Sequence, residues 1–209
     1  MAVILIIVGL LADTMVLRDF KQQLVGLRSY SFTAKVFLHV RDIEGNYVDT
    51  KLVVDVAVND MTDYRLYFHA PPILEGIEYI YFSKLDRIII GYGDRREIYP
   101  SAHEYMLGMP DIVGMFTALT DENAFDMEAR ELGNDEYLFI FYPKTRRVMR
   151  IIGMDYSIIN LYIKREGHEY KIEEIVVENS LKNEYARIQI ENLVTDPVLI
   201  NAYFQSLNQ

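Results

Sequence analysis

The hydrophobic period of the chain changes three times, and each change marks a new kind of element. Across residues 14–28, Met15, Leu17, Phe20, Leu24 and Leu27 recur at spacings near three and four. Side chains three and four apart share one face of a helix, so this stretch predicts an amphipathic N-terminal helix. Asp13 or Thr14 offers a side-chain oxygen to its first free N–H groups.

After Ser29 the period becomes two. Tyr30, Phe32, Ala34, Val36, Leu38 and Val40 alternate with Ser31, Thr33, Lys35, His39 and Arg41. Glu44-Gly45-Asn46 is a turn signal. Alternation resumes with Val48, Leu52, Val54, Val56 and Val58. This predicts a hairpin with one apolar and one wet face. Each arm is about a dozen residues, where a typical strand has ~5–6. Strands this long belong to barrels and strongly curled sheets. Shorter strands follow at 64–69, 76–84, 87–92 and 96–99, joined as a meander.

Between Ser101 and Glu131 the alternation stops. Pro110-Asp111 opens a helical stretch with Ile112, Val113, Met115, Phe116 and Leu119 on one side, and Pro suits a first helical turn. A second, weaker helical stretch is expected after Asp121. Met106, Met109, Met115 and Met127 fall in this segment. Methionine suits surfaces that adapt to varied apolar shapes, and equally suits plain core filling. Strands return at 136–142, 147–154, 157–165, 168–179 and 184–192. Inside the fourth of these the apolar phase slips: Tyr170 and Ile172 lie on one parity, Ile175 and Val177 on the other. A β-bulge produces such a slip and bends the sheet. Pro197 to Phe204 closes the chain as a short helix or apolar segment. The expected fold is α+β and mostly antiparallel: a strongly curved, half-open β-barrel with an N-terminal helix and a helical lid inserted between the two halves of the sheet.

Ala2 to Leu11 is an uninterrupted apolar run about half as long as a membrane-spanning helix requires. Its position and length match the apolar core of a secretory signal; the alternative is a buried N-terminal strand. Residues 1–12 are therefore set apart from a single domain at 13–209, and a periplasmic, exported protein is expected. The net charge of −10 repels phosphate backbones and argues against a nucleic-acid partner. The absence of cysteine removes disulfides, thiolate catalysis and zinc–cysteine sites.

Little in the chain points to catalysis. His39, His69, His103 and His168 are widely spaced, and none sits in a metal-ligand pattern. His39 and His69 fall on the polar parity of their strands. No nucleophile elbow or phosphate-binding glycine loop is present, and Gly91-Tyr92-Gly93 reads as a turn. Glu173 and Glu174 are neighbours and point to opposite faces of a strand, so they do not form a dyad. No enzyme, cofactor or metal is expected.

Several local patterns resemble one family when taken in order. They are Leu17-x-x-Phe20-x-x-x-Leu24-x-x-Leu27-x-Ser29-Tyr30-Ser31-Phe32; Asp42-x-x-Gly45; Val56-Ala57-Val58 followed by Tyr64-Arg65-Leu66 and Ala70-Pro71; and Ile175-Val176-Val177-Glu178-Asn179 followed by Ala186-Arg187-Ile188-x-Ile190-Glu191-Asn192, Asp196-Pro197 and Phe204. Over residues 15–205 this order resembles the LolA/LolB-like outer-membrane lipoprotein-sorting proteins, the periplasmic lipoprotein carriers. The resemblance departs at Asn59-Asp60-Met61, where the family carries a basic residue before a proline. It implies a half-open barrel whose concave apolar face, under helices, sequesters acyl chains of a lipid or lipoprotein. It also implies an inner-membrane donor complex, an outer-membrane acceptor and transient membrane contact. The expected cavity residues are Phe32, Val36, Leu38, Leu52, Val54, Val56, Leu66 and Phe68, with Ile112, Met115, Phe116 and Leu119 from the lid. A closed core has the same composition. The alternative function is a protein-interaction module of the cell envelope that uses the curved sheet.

Overall fold

The computed structural model describes residues 15–24, 26–100, 119, 121, 123–144, 157–179, 181, 183–195 and 197–205. A helix, α1, occupies 15–24. Six strands follow: β1 (Tyr30–Arg41), β2 (Tyr47–Asn59), β3 (Asp63–Ala70), β4 (Ile77–Phe82), β5 (Arg87–Tyr92) and β6 (Arg95–Pro100). Then come β7 (Phe125–Gly133), β8 (Glu136–Pro143), β9 (Ser157–Glu166), β10 (Glu169–Asn179), β11 (Tyr185–Val194) and the helix α2 (Pro197–Gln205). The strands form one sheet in the order β6-β5-β4-β3-β2-β1-β11-β10-β9-β8-β7. The sheet is mostly antiparallel, and its end strands β6 and β7 do not pair, so it is not closed.

The chain gathers into two compact units. The first contains the described residues within 1–26, 38–48 and 112–188; the second contains those within 27–37, 49–111 and 189–209. In the first unit the core is built from three cross-strand rows: Phe141–Ile159–Val177, Phe139–Leu161–Ile175 and Tyr137–Ile163–Ile172. All nine side chains are buried. The slip of phase predicted in β10 is a register shift between Ile172 and Glu174, with Glu173 as the extra residue. One added residue restores the facing of Ile175 and Val177, which would otherwise turn away from Ile172.

Helix α1 buries Val16, Leu17, Phe20 and Leu24, while Met15 is exposed. Leu17, Phe20 and Leu24 of the predicted stripe are thus buried, with Val16 in the place expected for Met15. Phe20 meets Tyr170 edge-on at 6.3 Å between centroids. The Gln23 amide then acts as a piece of strand. Its Nε2 donates to the Tyr170 carbonyl at 2.8 Å, and the Tyr170 N–H donates to its Oε1 at 2.8 Å.

In the second unit Ser29 is buried and ties the start of β1 to the β2–β3 turn. Its hydroxyl donates to Asn59 Oδ1 at 3.2 Å and accepts from the Asp60 N–H at 3.0 Å. Helix α2 presents Ile200 and Phe204, one turn apart, to Ala57, Ile80, Phe82 and Ile89. Phe204 meets Phe82 edge-on at 6.3 Å.

One expectation is corrected. The helical stretch after Asp121 is the strand β7, paired with β8 in antiparallel register. Glu128, Ala129, Arg130, Glu131 and Leu132 are good helix formers, but propensity is a weak prior beside sheet pairing. The turn at Asn134-Asp135 has positive φ at both residues, as a two-residue hairpin turn needs. The apolar segment 1–12, the expected lid helix apart from Leu119, and the expected strand at 147–154 lie outside the described residues.

Two outcomes test this account. Deleting Glu173 leaves every apolar residue of β10 on its own face, so cooperative thermal unfolding is retained. Deleting Tyr162 from β9 forces Leu161 or Ile163 out of the core, and the cooperative transition is lost. Replacing Gln23 by Ala removes two hydrogen bonds from a buried strand position and lowers stability by about 1–3 kcal/mol in urea unfolding.

Candidate ligand-binding face

Strands β2 to β5 are joined in a register that sorts their side chains cleanly between two faces. On one face, Val58, Tyr64, Tyr81 and Ile88 form a row, and Val56, Leu66, Tyr79 and Ile90 form the next. Val54 and Phe68 begin a third. On the other face lie Ala57, Arg65, Ile80 and Ile89, with Phe82 two residues on from Ile80. That second face is the one α2 covers.

The rows on the first face grade from closed to open. Val54, Val56, Val58 and Ile88 are buried, while Tyr64, Leu66, Phe68, Tyr79, Tyr81 and Ile90 are half-buried. The half-buried rings touch across strands. Phe68 meets Tyr79 edge-on at 5.7 Å, and Tyr64 stacks with Tyr81 at 6.4 Å. The phenol of Tyr64 donates to the Met61 carbonyl at 3.1 Å. Burial pushes the Tyr81 phenol above its ordinary range, and the Asp86 and Asp63 carboxylates push the same way. It therefore stays neutral at physiological pH. The face is a continuous apolar surface set with tyrosine hydroxyls.

Charge is kept to the opposite face. Arg65 and Glu78 form an ion pair at 2.7 Å, and the Arg65 guanidinium lies 5.7 Å from the Tyr67 ring centroid. Asp55 accepts from Thr33 Oγ1 at 2.7 Å and meets His69 Nε2 at 2.7 Å. The carboxylate here sits between hydroxyl and imidazole. A hydrolase triad instead puts the imidazole next to the nucleophile. No group of three His, Asp or Glu side chains placed to hold a metal exists among the described residues.

The Thr33–Asp55 bond also fixes the facing of β1. Odd residues of β1 and β2 share the polar face, so Phe32 and Val36 share the apolar face with Val54 and Val56. Of the residues expected to line a cavity, Val54, Val56, Leu66 and Phe68 are brought into adjacent rows. Phe32 is buried, and Val36 and Leu52 are half-buried in the same unit. Leu38 is half-buried and Leu119 buried, and both belong to the other unit. Ile112, Met115 and Phe116 lie outside the described residues. Val58, Tyr64, Tyr79, Tyr81, Ile88 and Ile90 are additions. In β4 and β5 both parities are apolar, and a strand covered on both faces loses the alternation that would sort its side chains.

No family model matches the chain, and no curated protein sequence matches it. Solved structures do match. A LolA superfamily protein from Nitrosomonas europaea is 8% identical, with a TM-score of 0.37 over 88% of this chain and 93% of that one. The Mycobacterium tuberculosis lipoprotein LppX is 13% identical, with a TM-score of 0.50 over 88% of this chain and 100% of that one. LprF from Mycobacterium bovis is 12% identical, with a TM-score of 0.50 over 89% and 97%. At such identities the likeness speaks to the fold alone, and the fold this chain shares is that of the lipoprotein LppX and of LprF.

Proposed function

We propose that this chain is a non-catalytic carrier of acyl chains, those of a lipid or lipoprotein, and that the apolar face of β2 to β5 is where they lie. The observation that carries the reading is the half-buried band of Tyr64, Leu66, Phe68, Tyr79, Tyr81 and Ile90, on the face away from α2. A hydrophobic core has no use for such a band left half in water. Sequestering a chain there needs no covalent chemistry. Each methylene withdrawn from water contributes ~0.8 kcal/mol, so even a partly covered acyl chain is held.

The remaining features of the reading follow from the sequence resemblance. The domain at 13–209 works as a half-open barrel. Phe32, Val36, Leu38, Leu52, Val54, Val56, Leu66 and Phe68 form the wall, and Ile112, Met115, Phe116 and Leu119 form the lid. The protein is exported and moves its cargo across the periplasm, from an inner-membrane donor towards an outer-membrane acceptor.

The test is uptake of a fluorescent fatty acid by variants of half-buried residues, which a charge disturbs without opening the core. Leu66→Glu and Phe68→Glu place a carboxylate in the apolar rows and weaken uptake about tenfold or more. Tyr67→Glu, on the opposite face, leaves uptake unchanged. Equal uptake by all three, with folding intact by circular dichroism, contradicts the reading. It would favour the alternative of a protein-interaction module.

A further inference from the structure

The two hairpin ends that meet in the first unit carry features the carrier face does not use. One is the β1–β2 connection, Asp42 to Asn46; the other is the β10–β11 connection. Each presents a large aliphatic side chain to water. Ile43 is 104% exposed and Leu181 is 78% exposed.

Within each end, described residues are hydrogen-bonded to one another. Asp42 Oδ1 accepts from the Glu44 and Asn46 N–H groups at 2.9 Å each. The Asp42 N–H donates to the Asn46 carbonyl at 2.9 Å, and Gly45 takes the positive φ the turn requires. In the other end, Asn179 Oδ1 accepts from the Asn183 N–H at 3.1 Å, and Asn179 Nδ2 donates to Glu184 Oε2 at 3.0 Å. The two ends are also tied to each other. Arg41 Nε lies 3.7 Å from Glu184 Oε1. His39 is stacked between Tyr47 at 4.9 Å and Tyr185 at 5.3 Å.

A layered order results along the strands. Ile43 and Leu181 stand at the tips. Beside Ile43, the Asp42 carboxylate is turned onto the N–H groups of its own turn, and the exposed Glu44 limits what enters an acyl phase from this turn to the single Ile43 side chain. Behind the tips come Tyr47, Tyr185, His39 and Arg41, whose guanidinium donates to the Tyr47 hydroxyl at 2.8 Å and lies 4.9 Å from its ring centroid. Aliphatic tips backed by amphipathic rings and a cation follow the polarity profile of a bilayer from acyl chains to headgroups. A protein partner fits poorly, because a stable interface buries about 800 Å² on each side, far more than two side chains on separate turns can cover. A fluid lipid phase receives isolated protruding side chains without a complementary pocket.

We propose that the paired ends at Ile43 and Leu181 dock this protein on a lipid bilayer. The two aliphatic chains enter the acyl region, and Tyr47, Tyr185 and Arg41 rest at headgroup depth. The inference deepens the carrier reading, on which its purpose rests, by naming where the carrier meets the membrane. The net charge of −10 supplies no attraction to anionic lipid. The docking is therefore apolar, works on zwitterionic lipid and is insensitive to salt.

The cysteine-free chain allows single labels to report the contact. Ile43→Cys, Leu181→Cys and Leu132→Cys carry an environment-sensitive fluorophore and meet phosphatidylcholine vesicles. Leu132 is the control: it is also exposed, but lies beside the β7–β8 turn, at the opposite strand end of the same unit. Labels at 43 and 181 brighten and shift to shorter wavelength, and the label at 132 does not. The double variant Ile43→Asp with Leu181→Asp loses about tenfold or more of its vesicle-bound fraction, while its fatty-acid uptake is unchanged. An equal response at 43 and 132, or unchanged vesicle binding by the double variant, overturns the inference and leaves the carrier reading standing. A response at 43 and 181 in a chain that takes up no fatty acid supports the docking site and removes the carrier reading.

Discussion

The packing of Ile200 and Phe204 against Ile80, Phe82 and Ile89 is the contact on which the functional account depends. Strands β4 and β5 are apolar on both faces, so two coverings are called for. Helix α2 supplies one of them. By occupying the Ile80 face it assigns Tyr79, Tyr81 and Ile90 to the other, where they remain half-buried. The same side chains without α2 would simply be a hydrophobic run with no defined inside.

The first unit shows what the same construction looks like when it is closed. Its three rows, from Phe141–Ile159–Val177 to Tyr137–Ile163–Ile172, are buried throughout. Helix α1 is fastened to the start of β10 by the Gln23 amide. The contrast between a sealed row and a half-open one, built from the same residue types, is the physical sign of a surface kept for something else. The charged pairs reinforce it. Arg65–Glu78, largely buried, and Asp55–His69, more exposed, sit on the face away from the open rows, where a ligand on those rows does not meet them.

Much of this was legible in the sequence, for a specific reason. The long hairpin β1–β2 has one apolar parity, so period alone fixed its facing. The slip between Ile172 and Ile175 announced the bulge. β7 was not legible, because Glu128 to Leu132 favour a helix and only their pairing with β8 overrules it. The positive-φ turn at Asn134-Asp135 was the available signal. The rows at Tyr79, Tyr81, Ile88 and Ile90 were hidden because Ile77 to Phe82 and Arg87 to Ile90 show no alternation. Which parity faces α2 is a long-range fact, fixed by a segment more than a hundred residues later in the chain.

The most direct measurement is native mass spectrometry of the chain purified from a membrane-containing host, followed by solvent extraction and lipid analysis. The account predicts a bound species with acyl chains, released by the organic solvent. A chain that emerges free of ligand, and stays free when offered lipid, would contradict it.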